Sequence, residues 1–251
     1  MTDKQWEFFC TFKTSFKKLC EEKTSFNHDA ILTELQQKIA RNNAVPAYPV
    51  ETNVVYNTEL ETISKDSRIK AILVADNPGK NEQLAQNKRY LIGQAGKLGD
   101  KFCREHPELG IDFRTNLLIL NKSPLHTAKT ALLKKLLSDY EKETRTKRLE
   151  DFFTESQVFM AESAYYLQQA FCCPLLIVGY GELGEKKIFK IYWKTLQRFY
   201  EKGSAEQLLC FQHFSMNRFT IDLKQNYDET RTLKENLQAL GSKHRQRIFG
   251  F

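Results

Sequence analysis

The chain has 251 residues, 41% hydrophobic and 27% charged, the balance of an ordinary globular protein with enough length to bury a core. Its 38 Lys and Arg outnumber 31 Asp and Glu, giving a net charge of +7, which allows a polyanionic partner without requiring one. No apolar stretch approaches a membrane-spanning length, and MTDKQWEFFC lacks the basic-then-apolar order of a secretory leader, so a cytoplasmic protein with no membrane contact is expected.

Trp6, Phe9, Phe12, Phe16 and Leu19 recur near helical spacing and predict a packing helix over 3–22. A second helix is predicted over Asp29–Arg41, after a cap-like Asn27. With the proline-containing loop that follows, these make residues 1–50 a helical N-terminal extension packed on the rest. Glu51–Tyr56 alternates weakly and predicts a short strand.

Ala71–Ala75 is a continuous apolar run closed by Asp76-Asn77-Pro78-Gly79, the pattern of a strand covered on both faces. Pro78 lacks a backbone donor and Gly79 tolerates unusual dihedrals, so the strand must end there. A helix is predicted over Gln94–Glu105, a second apolar run over Thr115–Leu120, and a helix over about Thr127–Ser138. The charged stretch EKETRTKR predicts an exposed turn before a long amphipathic helix, Glu150–Phe171. A third run, Pro174–Val178, precedes a helix over about Glu182–Tyr200, and a fourth run is Leu208–Gln212. The last predicted helix is Asn226–Leu240, followed by a basic tail, 241–251.

Strands alternating with helices predict one α/β domain, a three-layer sandwich around a central four-stranded parallel sheet. The six cysteines, at 10, 20, 103, 172, 173 and 210, form no C-x-x-C pair, so buried reduced thiols are expected rather than a metal site.

Ligands bind outside the carboxyl ends of strands in open α/β sheets. Three strands end there in polar groups: Asp76 with Asn77, Asn121, and His213. Alone, each is ordinary turn or core chemistry. Together they suggest a site.

The stretches ADNPGKNE, YLIGQAG, LLILNKSP, LLIVGYGELG and QHFSMN, in this order over about residues 70–220, resemble the uracil-DNA glycosylase superfamily. Asn77-Pro78-Gly79 is similar to the Gly-Ile-Asn-Pro-Gly element of its mismatch-specific branch, and Gly93-Gln94-Ala95-Gly96 to the Phe-Val-Gly-x-Ala-Gly element of its iron–sulfur branch. The resemblance implies a glycosylase-like fold and hydrolysis of the N-glycosidic bond of uracil, or a related deaminated base, in DNA repair. It implies that Asp76 or Asn77 positions water, His213 stabilises the departing base, and Asn121 reads the base. Tyr90 or Leu91 would flank it. Lys80, Lys122, Ser123, Ser215 and Arg218 would meet DNA, and Met216 and Asn217 fall where the family inserts a loop into the duplex. No metal or cofactor is implied, and a monomer is expected.

The chain departs from the family pattern at Ala75 (usually Gly), at Leu91 (usually aromatic) and at Phe214 (usually Pro), and it lacks the cluster cysteines. Both an acid and an amide stand at 76 and 77, and the sequence does not choose between them. Two other readings fit: a member that binds DNA or a protein without cleaving, and a hydrolase of free nucleosides. The terminal Gln246-Arg247-Ile248-Phe249-Gly250-Phe251 also resembles a sliding-clamp-binding peptide.

Overall fold

Four short runs of Ala, Leu, Ile, Val, Cys and Phe, one of them ending in Asn121, form the strands, and nearly every residue in them is buried. The structure is a computed structural model that describes residues 1–22, 24–201 and 204–251. The strands are β1 (Ala71–Ala75), β2 (Leu117–Asn121), β3 (Leu175–Val178) and β4 (Leu208–Phe211), ordered β2-β1-β3-β4 and paired in parallel throughout. Strands without polar alternation need cover on both faces. Helices supply it as the outer layers of a three-layer sandwich.

These helices are α1 (Asp3–Glu22), α2 (Ala30–Asn42), α3 (Gln94–Glu105), α4 (Leu133–Thr144), α5 (Arg148–Phe171), α6 (Lys190–Tyr200), α7 (Arg218–Gln225) and α8 (Leu233–Phe249). Helix α5 lies against β1, β2 and β3, with α1 and α6 packed on it. On the other face Leu73, Leu209 and Phe211 share a wall with Phe102 of α3 and Leu237 of α8. Phe9, Phe12 and Phe16 of α1 join the same apolar core as the sheet, so the N-terminal helix is part of the domain's packing. No helix among the described residues is long and apolar enough to cross a membrane.

Several boundaries differ from the sequence expectations, each for a local reason. The cap of α2 is Asp29, whose carboxylate accepts from the Leu32 N–H at 3.0 Å. Asn27 instead accepts from the Val54 N–H at 2.7 Å. The strand expected at Glu51–Tyr56 is absent apart from one antiparallel bridge, Val54 to Leu125, because the Gln83 side chain accepts from both the Glu51 and Thr52 N–H groups. Helix α4 begins six residues late because Lys129 is extended and Thr127 and Thr130 serve the site described below. The expected exposed turn at EKETRTKR shrinks to Arg145–Lys147, since α4 and α5 extend into it. Helix α6 starts at Lys190, since Gly184 at φ 135 and the extended Leu183 break the pattern upstream.

The predicted last helix starts seven residues late, at Leu233, and is preceded by α7, which was not anticipated. Thr232 and Glu235 form a capping box that starts α8, reciprocal bonds that satisfy its first free N–H groups. That helix runs through most of the basic tail. Phe249 is buried, Trp193 Nε1 donates to Ile248 O at 2.9 Å, and Arg245 Nε donates to Phe251 O at 3.0 Å. Gln246–Phe251 is therefore docked on its own domain. All six cysteines are free, and Cys172 is exposed at the left-handed residue that closes α5, against the expectation of burial.

Candidate active site

The register of the sheet sets Ala75 beside Asn121 and Val178 beside Phe211, so the residues after β1, β3 and β4 emerge at one edge. A cavity of about 640 Å³ opens there, with Asp76, Asn77, Asn121, Gly179 and His213 in its wall. The expected convergence of three strand ends is found.

Asn121 is the last residue of β2 and is 1% exposed. Its Nδ2 is buried without any hydrogen-bond partner. An unpaired buried amide N–H is costly, by about 1–3 kcal/mol, and an orphan of this kind calls for an explanation. Here the cavity offers one, since a bound acceptor would complete it.

Asp76 is held from below. Lys122 Nζ donates to its Oδ1 at 2.5 Å and to Val178 O at 2.9 Å, and lies 5.4 Å from the Phe189 ring centre. The Oδ2 atom is the freer oxygen, with Thr130 Oγ1 at 3.4 Å. Gly179 is required here: its φ is +82, and a Cβ would sit 2.8 Å from Asp76 Oδ1, both unfavourable for other residues.

Asn77 is more thoroughly engaged. Its Nδ2 donates to Leu125 O at 3.1 Å and Thr127 Oγ1 at 2.9 Å, and its Oδ1 accepts from Thr130 Oγ1 at 3.0 Å. Thr130 thus bridges the two side chains left open as water ligands.

His213 follows β4. The Ser215 N–H donates to its Nδ1 at 3.1 Å, and Ser215 Oγ lies 2.7 Å from the same atom. A backbone N–H can only donate, so Nδ1 accepts and the neutral ring carries its proton on Nε2. Burial, the largest cause, with Lys122 and Arg218, pushes the imidazole below its usual 6.5 against the pull of Asp76. The ring is therefore neutral at pH 7 with Nε2–H as its remaining donor.

The expected base-flanking pair splits. Tyr90 is fully buried away from the cavity, its hydroxyl donating to Val55 O at 2.6 Å, so it does not flank a ligand. Leu91 lines the cavity in a left-handed conformation at φ 51. Arg114 holds that turn by donating to Tyr90 O at 2.9 Å and to Leu91 O. Gly96 is needed beneath it, because a Cβ there would overlap Leu91 O.

Of the expected DNA contacts, Lys80 and Arg218 stand at the cavity. Lys122 and Ser123 do not reach the surface. Lys122 is consumed by Asp76, and Ser123 Oγ by Ser156 Oγ at 2.8 Å. Ser215 lines the cavity, but its hydroxyl is spent on His213. Met216 is 67% exposed at the tip of a turn where it and Asn217 both have positive φ.

The lining residues that were not anticipated include Glu82, Thr127, Thr130, Lys129 and Gln212. Glu82 Oε2 accepts from the Gly79 N–H at 2.9 Å, an i, i+3 spacing like a capping box that the sequence does carry. Burial, opposed mainly by the Gly79, Leu91 and Ile92 N–H groups, raises this carboxyl to about 7. Gln212 Nε2 donates to Tyr180 Oη at 2.8 Å. Among the described residues there is no cluster of three or more His, Cys, Asp or Glu arranged to hold a metal.

No protein-family model and no curated protein sequence matches the chain. The case for function therefore rests on the cavity's chemistry. Its floor offers one unpaired amide donor, one neutral imidazole donor and one carboxylate fixed by a buried ammonium. Lys80, Lys129 and Arg218 add positive charge to its lining.

Proposed function

We propose that the chain is a DNA glycosylase that hydrolyses the N-glycosidic bond of uracil, or a related deaminated base, acting as a monomer in the cytoplasm. The observation that carries this reading is the orphaned Nδ2 of Asn121, buried in the wall of the cavity that His213 and Asp76 also line. An amide presents a donor and an acceptor side by side, and the imide edge of uracil presents their complement.

In this reading the nucleotide is rotated out of the duplex into the cavity, as base chemistry requires. Asn121 Nδ2 donates to a ring carbonyl. As the glycosidic bond lengthens, negative charge grows on the base and positive charge on the sugar. His213 Nε2–H donates to the base oxygen, worth several kcal/mol when such a donor is preorganised. Asp76 faces the sugar's charge and accepts from the attacking water through Oδ2, its less occupied oxygen. Asn77 supports this through Thr130 and keeps one acceptor lone pair on Oδ1 for the same water. Lys80, Lys129 and Arg218 attract the phosphates, and exposed Met216 fits a wedge that holds the duplex open.

The test is cleavage of end-labelled oligonucleotides carrying uracil, hypoxanthine, xanthine or a G·T mismatch, with free deoxyuridine alongside. An alkali-labile abasic product, formed at a rate that drops steeply with salt, is the expected result. Turnover of deoxyuridine alone, indifferent to salt, would mark a nucleoside hydrolase instead. Absence of any abasic product would remove the glycosylase reading.

A further inference from the structure

On the face of the sheet away from α5, helices α3 and α8 leave a gap between them. Among the described residues, Leu176 of β3 is the one strand residue that is not buried. It stands in register between Leu73 of β1 and Leu209 of β4. These three side chains floor a slot of about 330 Å³ walled by Phe102 of α3 and Leu237 of α8. Leu73 and Leu209 are only 2% and 5% exposed, so the slot is deep and narrow. Toward the carboxyl end of the sheet it is lined by Phe211 and Phe219, whose rings meet edge to face at 5.5 Å.

Its polar lining is confined to Lys70, Lys234, Gln238 and the Cys103 thiol, with no carboxylate among the described residues. Gln238 Nε2 is spent on Glu206 O at 2.9 Å. Both lysines are exposed, Lys70 just before β1 and Lys234 in the first turn of α8. Lys70 Nζ donates to Gly110 O, which leaves two of its three N–H groups. Lys234 has no hydrogen bond or ion pair among the described residues.

We infer that this slot binds the alkyl chain of a free fatty acid, with its carboxylate at Lys70 and Lys234. The inference stands apart from the glycosylase reading, since it uses none of the groups around Asp76, Asn121 and His213. A void of this size falls among small-molecule sites, about 300–1,000 Å³. Its width decides the shape of the ligand. An α-helix is about 10–12 Å across and could not reach a floor this well covered, whereas an unbranched chain is one methylene wide. Each methylene taken out of water there tightens binding by about fourfold. Two ammonium groups without a carboxylate select an anionic head over a neutral or cationic one.

Isothermal titration of the full chain with octanoate, decanoate and dodecanoate, each below its micelle concentration, tests this. One molecule should bind per chain, tightening by about fourfold per methylene and levelling off once the slot is full. Dodecanol and dodecylammonium should bind at least about fivefold more weakly than dodecanoate, the worth of two exposed ion pairs. Lys70→Gln with Lys234→Gln should weaken dodecanoate by the same factor and leave dodecanol unchanged. Leu176→Trp fills the slot and should abolish binding, with Leu237→Trp in the outer wall as the second variant if the first does not fold. No saturable binding of dodecanoate, equal affinity for the three head groups, or parent-like binding by the lysine or tryptophan variants would overturn the inference. A concentration-dependent dimer that Leu176→Trp dissolves, with no dodecanoate bound, would overturn it in favour of a second copy of the chain.

Discussion

Lys122 Nζ lies 2.5 Å from Asp76 Oδ1, and the lysine side chain has no solvent exposure. Two charges buried together are tolerable, but one left alone is not. Lys122→Met should therefore destabilise the fold by about 3–5 kcal/mol, the usual cost of breaking a buried pair from one side. The double variant Lys122→Met with Asp76→Asn should recover much of that loss. Urea unfolding of Lys122→Met, Asp76→Asn, the double variant and the parent checks both statements; an additive double variant would mean the pair is not coupled.

Thr130 joins Asn77 to Asp76 by a single hydroxyl. Thr130→Val keeps the shape and deletes the bridge, so the glycosylase rate should fall by about fivefold, the worth of one hydrogen bond of roughly 1 kcal/mol. Thr130→Ser should restore it. Equal single-turnover rates for Val and the parent would show that the two side chains act independently.

His126 has no solvent exposure, its Nδ1–H donating to Pro78 O at 2.9 Å and its Nε2 accepting from Tyr48 Oη at 3.0 Å. Burial is the main cause that lowers it from 6.5 to about 4, against the opposing Pro78 bond. A depressed histidine takes up its proton more readily in the unfolded chain, so stability is full above pH 6.5 and is lost as pH falls toward 4. The loss amounts to about 3 kcal/mol. His126→Gln should remove this component. Urea midpoints measured from pH 7 to 4 for both proteins should diverge in that window; parallel curves would contradict the burial argument.

Gly179 combines a positive φ with contact against the Asp76 carboxylate. Gly179→Ala should cost about 1–2 kcal/mol from left-handed strain alone, and more from displacing Asp76. Thermal melts give the first effect. A rate loss larger than that of Gly184→Ala, which is also at positive φ but 3.7 Å from a flexible Lys187 side chain, gives the second.

The sheet was legible because both-face burial leaves continuous apolar runs, and the strands of this chain are such runs. Asp76, Asn121 and His213 were legible as polar groups at the ends of those runs. Charge misled the reading at Lys122: a lysine beside a turn is usually solvated, and only the fold reveals that Asp76 and Val178 O enclose it. Ser123 failed for the same reason. Tyr90 and Leu91 could not be separated, because adjacent side chains in a loop point in different directions and no periodicity says which. Lys129 and Thr130 were hidden inside a helix started too early, and Gln212 inside a strand run one residue too long. The true start of the last helix after Thr232 was legible, since its capping box with Glu235 stands in the sequence.

The account depends on Asn121 reading the base while His213 eases its departure. The most direct measurement is single-turnover cleavage of matched duplexes, uracil or cytosine opposite G, by the parent, His213→Ala and Asn121→Asp. The account predicts that His213→Ala slows uracil removal by roughly 10²–10³, and that Asn121→Asp loses uracil activity while gaining a detectable rate on cytosine. Parent-like rates and parent-like rejection of cytosine in both variants would contradict it.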